Sequence, residues 1–141
     1  MKRFNFRLQK ILRLRKFREE QCKIELEQAL GVLNMIENEI KATAVKRHNA
    51  VSRRFDDINE IGNWDIYILR LDQETERLME RAAQAQLVVE EKRAKYIEAS
   101  RALKALEKLK EKRTKEYRKE AADLQMAEND DVTAARYGAD A

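Results

Sequence analysis

The feature that most constrains this chain is a stripe of apolar and small residues spaced alternately three and four apart through its second half. Ile68, Leu71, Thr75, Leu78, Ala82, Ala85, Val89, Lys92, Tyr96, Ala99, Leu103 and Leu106 fall on it in order. A heptad held over so many turns lets one face of an α-helix bury against a second helix in a left-handed coiled coil. The first half has a similar stripe: Cys22, Leu26, Ala29, Leu33, Ile36, Ile40, Ala44, Arg47, Val51, Phe55 and Ile58. Its steps average about 3.6 residues, which favours a straighter helix and weak supercoiling. A disordered polar chain would show neither stripe.

The sequence holds 40% charged residues, 6% aromatics and no proline. So few bulky side chains cannot fill a thick globular core, whereas a seam between long helices needs only a narrow stripe. The expected fold is all-α, a long antiparallel two-helix coiled coil forming a single helical hairpin. Gly62-Asn63 is the one obvious break, pairing a residue able to take φ > 0 with a favoured N-cap type. This predicts helix 1 over about residues 4–61, a turn at 62–63, helix 2 over about 64–128 and a frayed tail at 129–141. A turn this short makes the helices antiparallel neighbours. It also sets a register in which Ala29 faces Tyr96, Ile40 faces Ala85, Phe55 faces Leu71 and Ile58 faces Ile68.

The net charge is only +4, yet it is unevenly spread. Residues 1–23 hold nine basic and two acidic side chains, and residues 104–119 hold eight basic and three acidic. Residues 53–91 are acidic by ten to five. The hairpin therefore brings two basic segments together at its terminal end. There the expected register sets Arg15 and Arg18 against Lys110 and Arg113, and like charges at a seam oppose burial. The helices are expected to splay at this collar until something acidic neutralises it. Beyond it lies an apolar tip of Phe4, Phe6, Leu8, Ile11, Leu12 and Leu14, with Tyr117, Ala121 and Leu124 opposite. A greasy tip behind a cationic collar reads as a surface for docking another protein, against the plainer reading of solvated ends with snorkelling Lys and Arg.

Catalytic chemistry has little to work with. The three glycines, Gly31, Gly62 and Gly138, begin no phosphate-binding loop. His48 and Cys22 are the only residues of their kinds, so one chain cannot assemble a His/Cys zinc site or a Cys-His dyad of the usual spacing. Cys22 sits on the stripe as a small core residue and points to a reducing compartment. His48 lies off the stripe and reads as solvated. Met35, Met79 and Met126 read as packing or surface residues. Trp64 and Tyr67 stand beside the expected turn, Trp64 as a cap on the seam and Tyr67 on a second face. No apolar run approaches the ~20 residues a bilayer span needs. The expectation is a protein without enzymatic activity, metal or cofactor.

The opening string Phe4-Asn5-Phe6-Arg7-Leu8-Gln9-Lys10-Ile11-Leu12-Arg13-Leu14-Arg15 resembles the start of the flagellar FliJ family. Residues 106–118, Leu-Glu-Lys-Leu-Lys-Glu-Lys-Arg through Glu116-Tyr117-Arg118, are similar to that family's second helix, and Asp130-Asp131 with Thr133-Ala134 to its end. The resemblance implies a cytoplasmic component of the flagellar type III export apparatus, similar to the central stalk of rotary ATPases. It implies that the paired terminal region docks into the hexameric export ATPase FliI and stimulates it. On that footing Phe4, Phe6, Arg7, Leu8, Ile11, Arg13, Arg15, Arg113, Tyr117 and Arg118 are the ATPase-docking candidates. Tyr67 and Leu71 match positions where the family carries an aromatic and an apolar residue, and are candidates for contact with the export-gate protein FlhA. The face around residues 41–48 lacks aromatics seen in some relatives. Escort of empty export chaperones is also implied, as is peripheral association with the membrane through these partners.

Two other readings compete with this one. A basic coiled-coil arm can grip nucleic acid through phosphates, which predicts steeply salt-dependent RNA binding. Here few aromatics are interleaved for base stacking, and no nucleic-acid partner is expected. Residues 1–17 also resemble an amphipathic membrane-surface or transit helix.

Overall fold

The computed structural model describes residues 3–53 and 58–140. It is an all-α helical hairpin in which α1 (Gln9–Ser52, 44 residues) packs against α2 (Ile58–Asp140, 83 residues). The described residues contain no strand. The chain forms two compact units, residues 20–98 (the central unit) and residues 1–19 with 99–141 (the terminal unit), and both helices contribute to each.

In the central unit the α2 stripe is seated as its spacing demands. Leu71, Leu78, Ala85 and Val89 are buried, and Ile68, Thr75, Ala82, Lys92 and Tyr96 half-buried. Opposite them Cys22, Ala29, Leu33, Ile36, Thr43 and Ala50 are buried, with Leu26 and Ile40 half-buried. These α1 positions step strictly four and three, so α1 follows the same heptad as α2 and the expected drift to 3.6 is corrected. Thr43 and Ala50 take the seam places assigned to Ala44 and Val51, both of which are exposed. Thr43 can be buried because its hydroxyl donates to the Glu39 carbonyl at 2.9 Å, leaving no polar atom unpaired. Of the remaining expected seam positions, Phe55 lies outside the described residues, and Ile58 begins α2 rather than extending α1.

The turn is displaced from its expected place. Gly62 and Asn63 are helical residues inside α2, and no described glycine has positive φ. The chain reverses between Ser52 and Ile58, a segment of which only Arg53 is described. Glu60 supplies a negative charge in the first turn of α2, complementing the helix dipole. At the other side of the reversal, the last turn of α1 is closed by α2. The Trp64 indole donates to the Ala50 carbonyl at 2.5 Å, and the Arg53 backbone N–H reaches the same oxygen at 3.3 Å. The Arg53 guanidinium lies 5.0 Å over the Trp64 ring. Trp64 is thus a cap on a helix end whose carbonyls would otherwise lack partners.

Moving the turn moves the register. Arg47 pairs with Asp72 at 2.6 Å, Glu39 with Arg81 at 4.0 Å and Glu25 with Lys92 at 3.5 Å. Each partner lies roughly one heptad earlier in α2 than a turn at 62–63 would place it. A slip of one heptad keeps seam residues on seam residues, which is why the stripe is right while the individual pairings differ.

The terminal unit departs from expectation at both chain ends. Residues 3–8 are not helical, and α1 begins only at Gln9, whose N–H bonds the Phe6 carbonyl at 3.1 Å. Phe4, Phe6 and Leu8 alternate with exposed Asn5 and Arg7. In an extended chain residues i, i+2 and i+4 share a face, whereas a helix would scatter the first two. All three pack on α2 as a strap: Phe6 is buried with Leu12, Leu103 and Leu106, and Phe4 and Leu8 lie against that cluster with Leu109. At the far end, residues 129–140 continue α2 instead of fraying. Ala127, Ala134 and Ala135 favour helix, and the Thr133 hydroxyl back-bonds to the Asn129 carbonyl at 2.9 Å.

Candidate docking surface

The strap and the adjoining turns of α1 and α2 build the candidate surface. Phe4 stacks on Tyr117 with ring centroids 5.2 Å apart and planes tilted by 43°. Beside them a cleft of about 580 Å³ is bounded by Phe4, Arg7, Leu8, Leu109, Arg113, Tyr117 and the carboxylates of Glu116 and Glu120. A second hollow of about 500 Å³ lies among Leu12, Lys110, Glu111, Thr114, Lys115 and Arg118. Both combine an apolar floor with a charged rim.

The expected collar of four facing cations does not form. With the register one heptad away, Leu12 meets Leu103 and Leu106, and Arg15 reaches across to donate to the Ala102 carbonyl at 3.0 Å. Arg113 pairs with Glu116 within its own helix at 3.9 Å, and Lys115 with Glu111 at 3.3 Å. Arg18 is exposed. The seam therefore continues through this unit, and the like-charge contact that predicted splaying is absent. The tip is likewise less open than its sequence implied, because Phe6 and Leu12 are buried and Phe4, Leu8 and Tyr117 half-buried.

Positive charge is concentrated here nonetheless. Residues 1–19 hold eight basic side chains against Glu19 alone. Arg7, Arg13 and Arg118 are exposed and engage in no ion pair among the described residues. Ile11, Leu14 and Phe17 are exposed by 42%, 66% and 59%, an apolar ridge on α1 among these cations. Phe17 was absent from the sequence candidates. Its signal was present in the spacing, since Leu14 and Phe17 lie three apart on a helix face that avoids the seam.

The two gate-contact candidates belong to the central unit and are not equivalent. Tyr67 is exposed and stacks against Trp64 at 5.1 Å, whereas Leu71 is buried in the seam. Among the described residues no group of three His, Cys, Asp or Glu is placed to hold a metal ion. None of their helices is long and apolar enough to cross a membrane.

The family model described as Flagellar FliJ protein matches residues 4–141. No curated protein and no solved structure matches the chain.

Proposed function

The chain belongs to the flagellar FliJ family, and from that premise we propose that it is a non-catalytic, stalk-like partner of the hexameric export ATPase in flagellar type III protein export. The observation that carries this reading is the terminal unit's surface, where exposed Arg7, Arg13 and Arg118, in no ion pair among the described residues, stand near apolar residues on two paired segments. Exposed cations around apolar side chains suit an acidic, apolar-lined socket, steering the encounter electrostatically while the apolar contacts hold it. Phe4, Leu8 and Tyr117 supply the half-buried apolar rim, and Ile11 the exposed ridge. Phe6 and Arg15 act from behind by holding the strap and seam in place, and Arg113 stands exposed on the cleft rim, paired with Glu116.

Tyr67 with Trp64 is the proposed contact for the export-gate protein, and Leu71 supports it from the seam rather than touching the partner. Membrane association then follows from the partners alone. Escort of export chaperones belongs to the same proposal.

The test uses the full chain with the purified ATPase. Arg7→Glu, Arg13→Glu and Arg118→Glu together should abolish ATPase stimulation while leaving the helical circular-dichroism signal unchanged. Full stimulation by that variant sinks the docking assignment. Gate binding that survives Tyr67→Ala sinks the second contact independently.

A further inference from the structure

A second stripe runs along α1 within the central unit, on the side away from α2. Alternating steps of three and four from Gln21 to Ser52 visit ten residues, among them Ile24, Gly31, Met35, Ala42 and Val45. Each is offset by two positions, about 200°, from the seam that α1 presents to α2. All ten are exposed, and none is charged. In a chain that is 40% charged, a solvated face under no other demand would carry about four charges in ten such positions. Ile24, Met35 and Val45 are instead 53%, 65% and 59% exposed apolar side chains on a single line.

Gly31 sits on that line. Glycine weakens a helix interior, and a Cβ added here would meet nothing within 4 Å, so this chain's own packing does not require it. Close approach by another helix is the remaining structural use for a missing side chain at this position.

The charges beside the stripe say what that helix is. Residues 20–39 carry five glutamates against Lys23, and residues 41–53 carry four basic residues and no acid. Glu39 and Arg47 pair with α2, Arg53 lies over Trp64 and Glu25 reaches Lys92, so Glu20, Glu27 and Glu37 on one half and Lys41 and Lys46 on the other carry the same asymmetry without them. A helix that is acidic in one half and basic in the other complements an antiparallel copy of itself and repels a parallel one. We propose that the outer face of α1 in the central unit is a self-docking surface, on which a second copy of the chain packs antiparallel about a two-fold axis near residues 36–37. Gly31 of one copy then faces Ala42 of the other, Met35 faces Asn38, and Glu25 lies beside Lys46. The contact uses only central-unit residues, so it makes no demand on the basic surface of the terminal unit.

Light scattering and sedimentation equilibrium on the full chain test this. In low salt, the mass should rise with concentration toward twice that of one chain, and added salt should oppose the rise. Met35→Lys should keep the chain monomeric with its helical signal intact. Lys46→Glu should weaken association about tenfold, the equivalent of 1.4 kcal/mol, and Glu25→Lys added to it should restore association. Glu25→Lys also sets a lysine against half-buried Lys92, so an unchanged helical signal in the double variant is what keeps that rescue readable. A chain that stays monomeric at every concentration overturns the proposal, as does a dimer unaffected by Met35→Lys. Binding of an unrelated helical protein to this stripe by a chain that does not self-associate also counts against it.

Discussion

Arg15 Nη1 donates to the carbonyl oxygen of Ala102 at 3.0 Å, tying α1 to α2 through a seam position that carries a charge. The half-buried side chain satisfies its guanidinium on a backbone acceptor, which lets a charged residue occupy a seam position. Arg15→Ala should therefore cost about 1 kcal/mol in urea unfolding, the range of a part-exposed hydrogen bond to a charged group. Exposed Arg13, two residues away, should lose less than about 0.5 kcal/mol on the same change. Charge reversal at Arg13 reads docking alone, whereas reversal at Arg15 mixes docking with stability.

The strap makes a second prediction. Phe6 is 8% exposed and fills the cluster with Leu103 and Leu106. Phe6→Ala should remove about 2–4 kcal/mol of local stability. The loss should appear as faster amide exchange at Gln9 and Leu12, whose N–H groups bond the Phe6 and Leu8 carbonyls. Exchange in the central unit, around Val89, should not change.

These two cases mark how far the sequence could be read. The α2 stripe was legible in full, because a strict heptad on a long helix leaves little choice of face. On α1 hydrophobicity favours Ala44 and Val51, although Thr43 and Ala50 keep the period and are the buried pair. A threonine that bonds its own helix behaves as a seam residue, and hydropathy alone does not reveal that. The turn was misplaced because Gly62 was read as a break, while no local residue type announced the reversal after Ser52 as strongly. That displacement carried the register with it and produced a cationic collar that the true pairing dissolves. The strap is legible in principle, since Phe4, Phe6 and Leu8 alternate with period two, but that short signal is easily absorbed into a helix drawn from residue 4. The family pattern pointed to the candidate docking surface, while the exposure of Phe17 and the burial of Leu71 needed the packed structure.

Gly62 offers a direct check on the turn. It lies within α2 without positive φ, and an added Cβ would meet nothing within 4 Å. Gly62→Ala should stabilise the chain by about 0.5–1 kcal/mol, as expected for a helical glycine. Were Gly62 the turn residue in a left-handed conformation, the same change would destabilise it. Thermal unfolding separates the two signs.

The seam itself predicts a contrast within α2. Leu78 is 1% exposed and Leu87 66% exposed. Leu78→Ala should cost about 2–4 kcal/mol, combining lost transfer energy with an incompletely closed cavity. Leu87→Ala should stay within about 0.5 kcal/mol. Urea midpoints for the two variants, at unchanged denaturant slope, check both values.

Glu74 and Arg77 give the pH dependence its sign. They form an i,i+3 pair with bonds of 2.6 and 3.1 Å, and the hydrogen bond from Arg77 holds the Glu74 carboxyl below its ordinary 4.5. Donating that same bond to the Glu74 carboxylate raises the Arg77 guanidinium further above its already high range. A carboxylate with a lowered folded value contributes stability above the unfolded value and loses it as pH falls through the folded one. An arginine with a raised value contributes at all lower pH and loses its share only in strong alkali. Between neutrality and mild alkali the pair should therefore be constant, and within the range where the chain is ordinarily handled its contribution should disappear on the acid side. Arg77 is exposed and Glu74 half-exposed, so solvent screens the interaction and salt should weaken it further. In an NMR titration of the Glu74 side chain, Arg77→Gln should move the midpoint upward toward 4.5. A midpoint that does not move would mean the pair is not formed in solution.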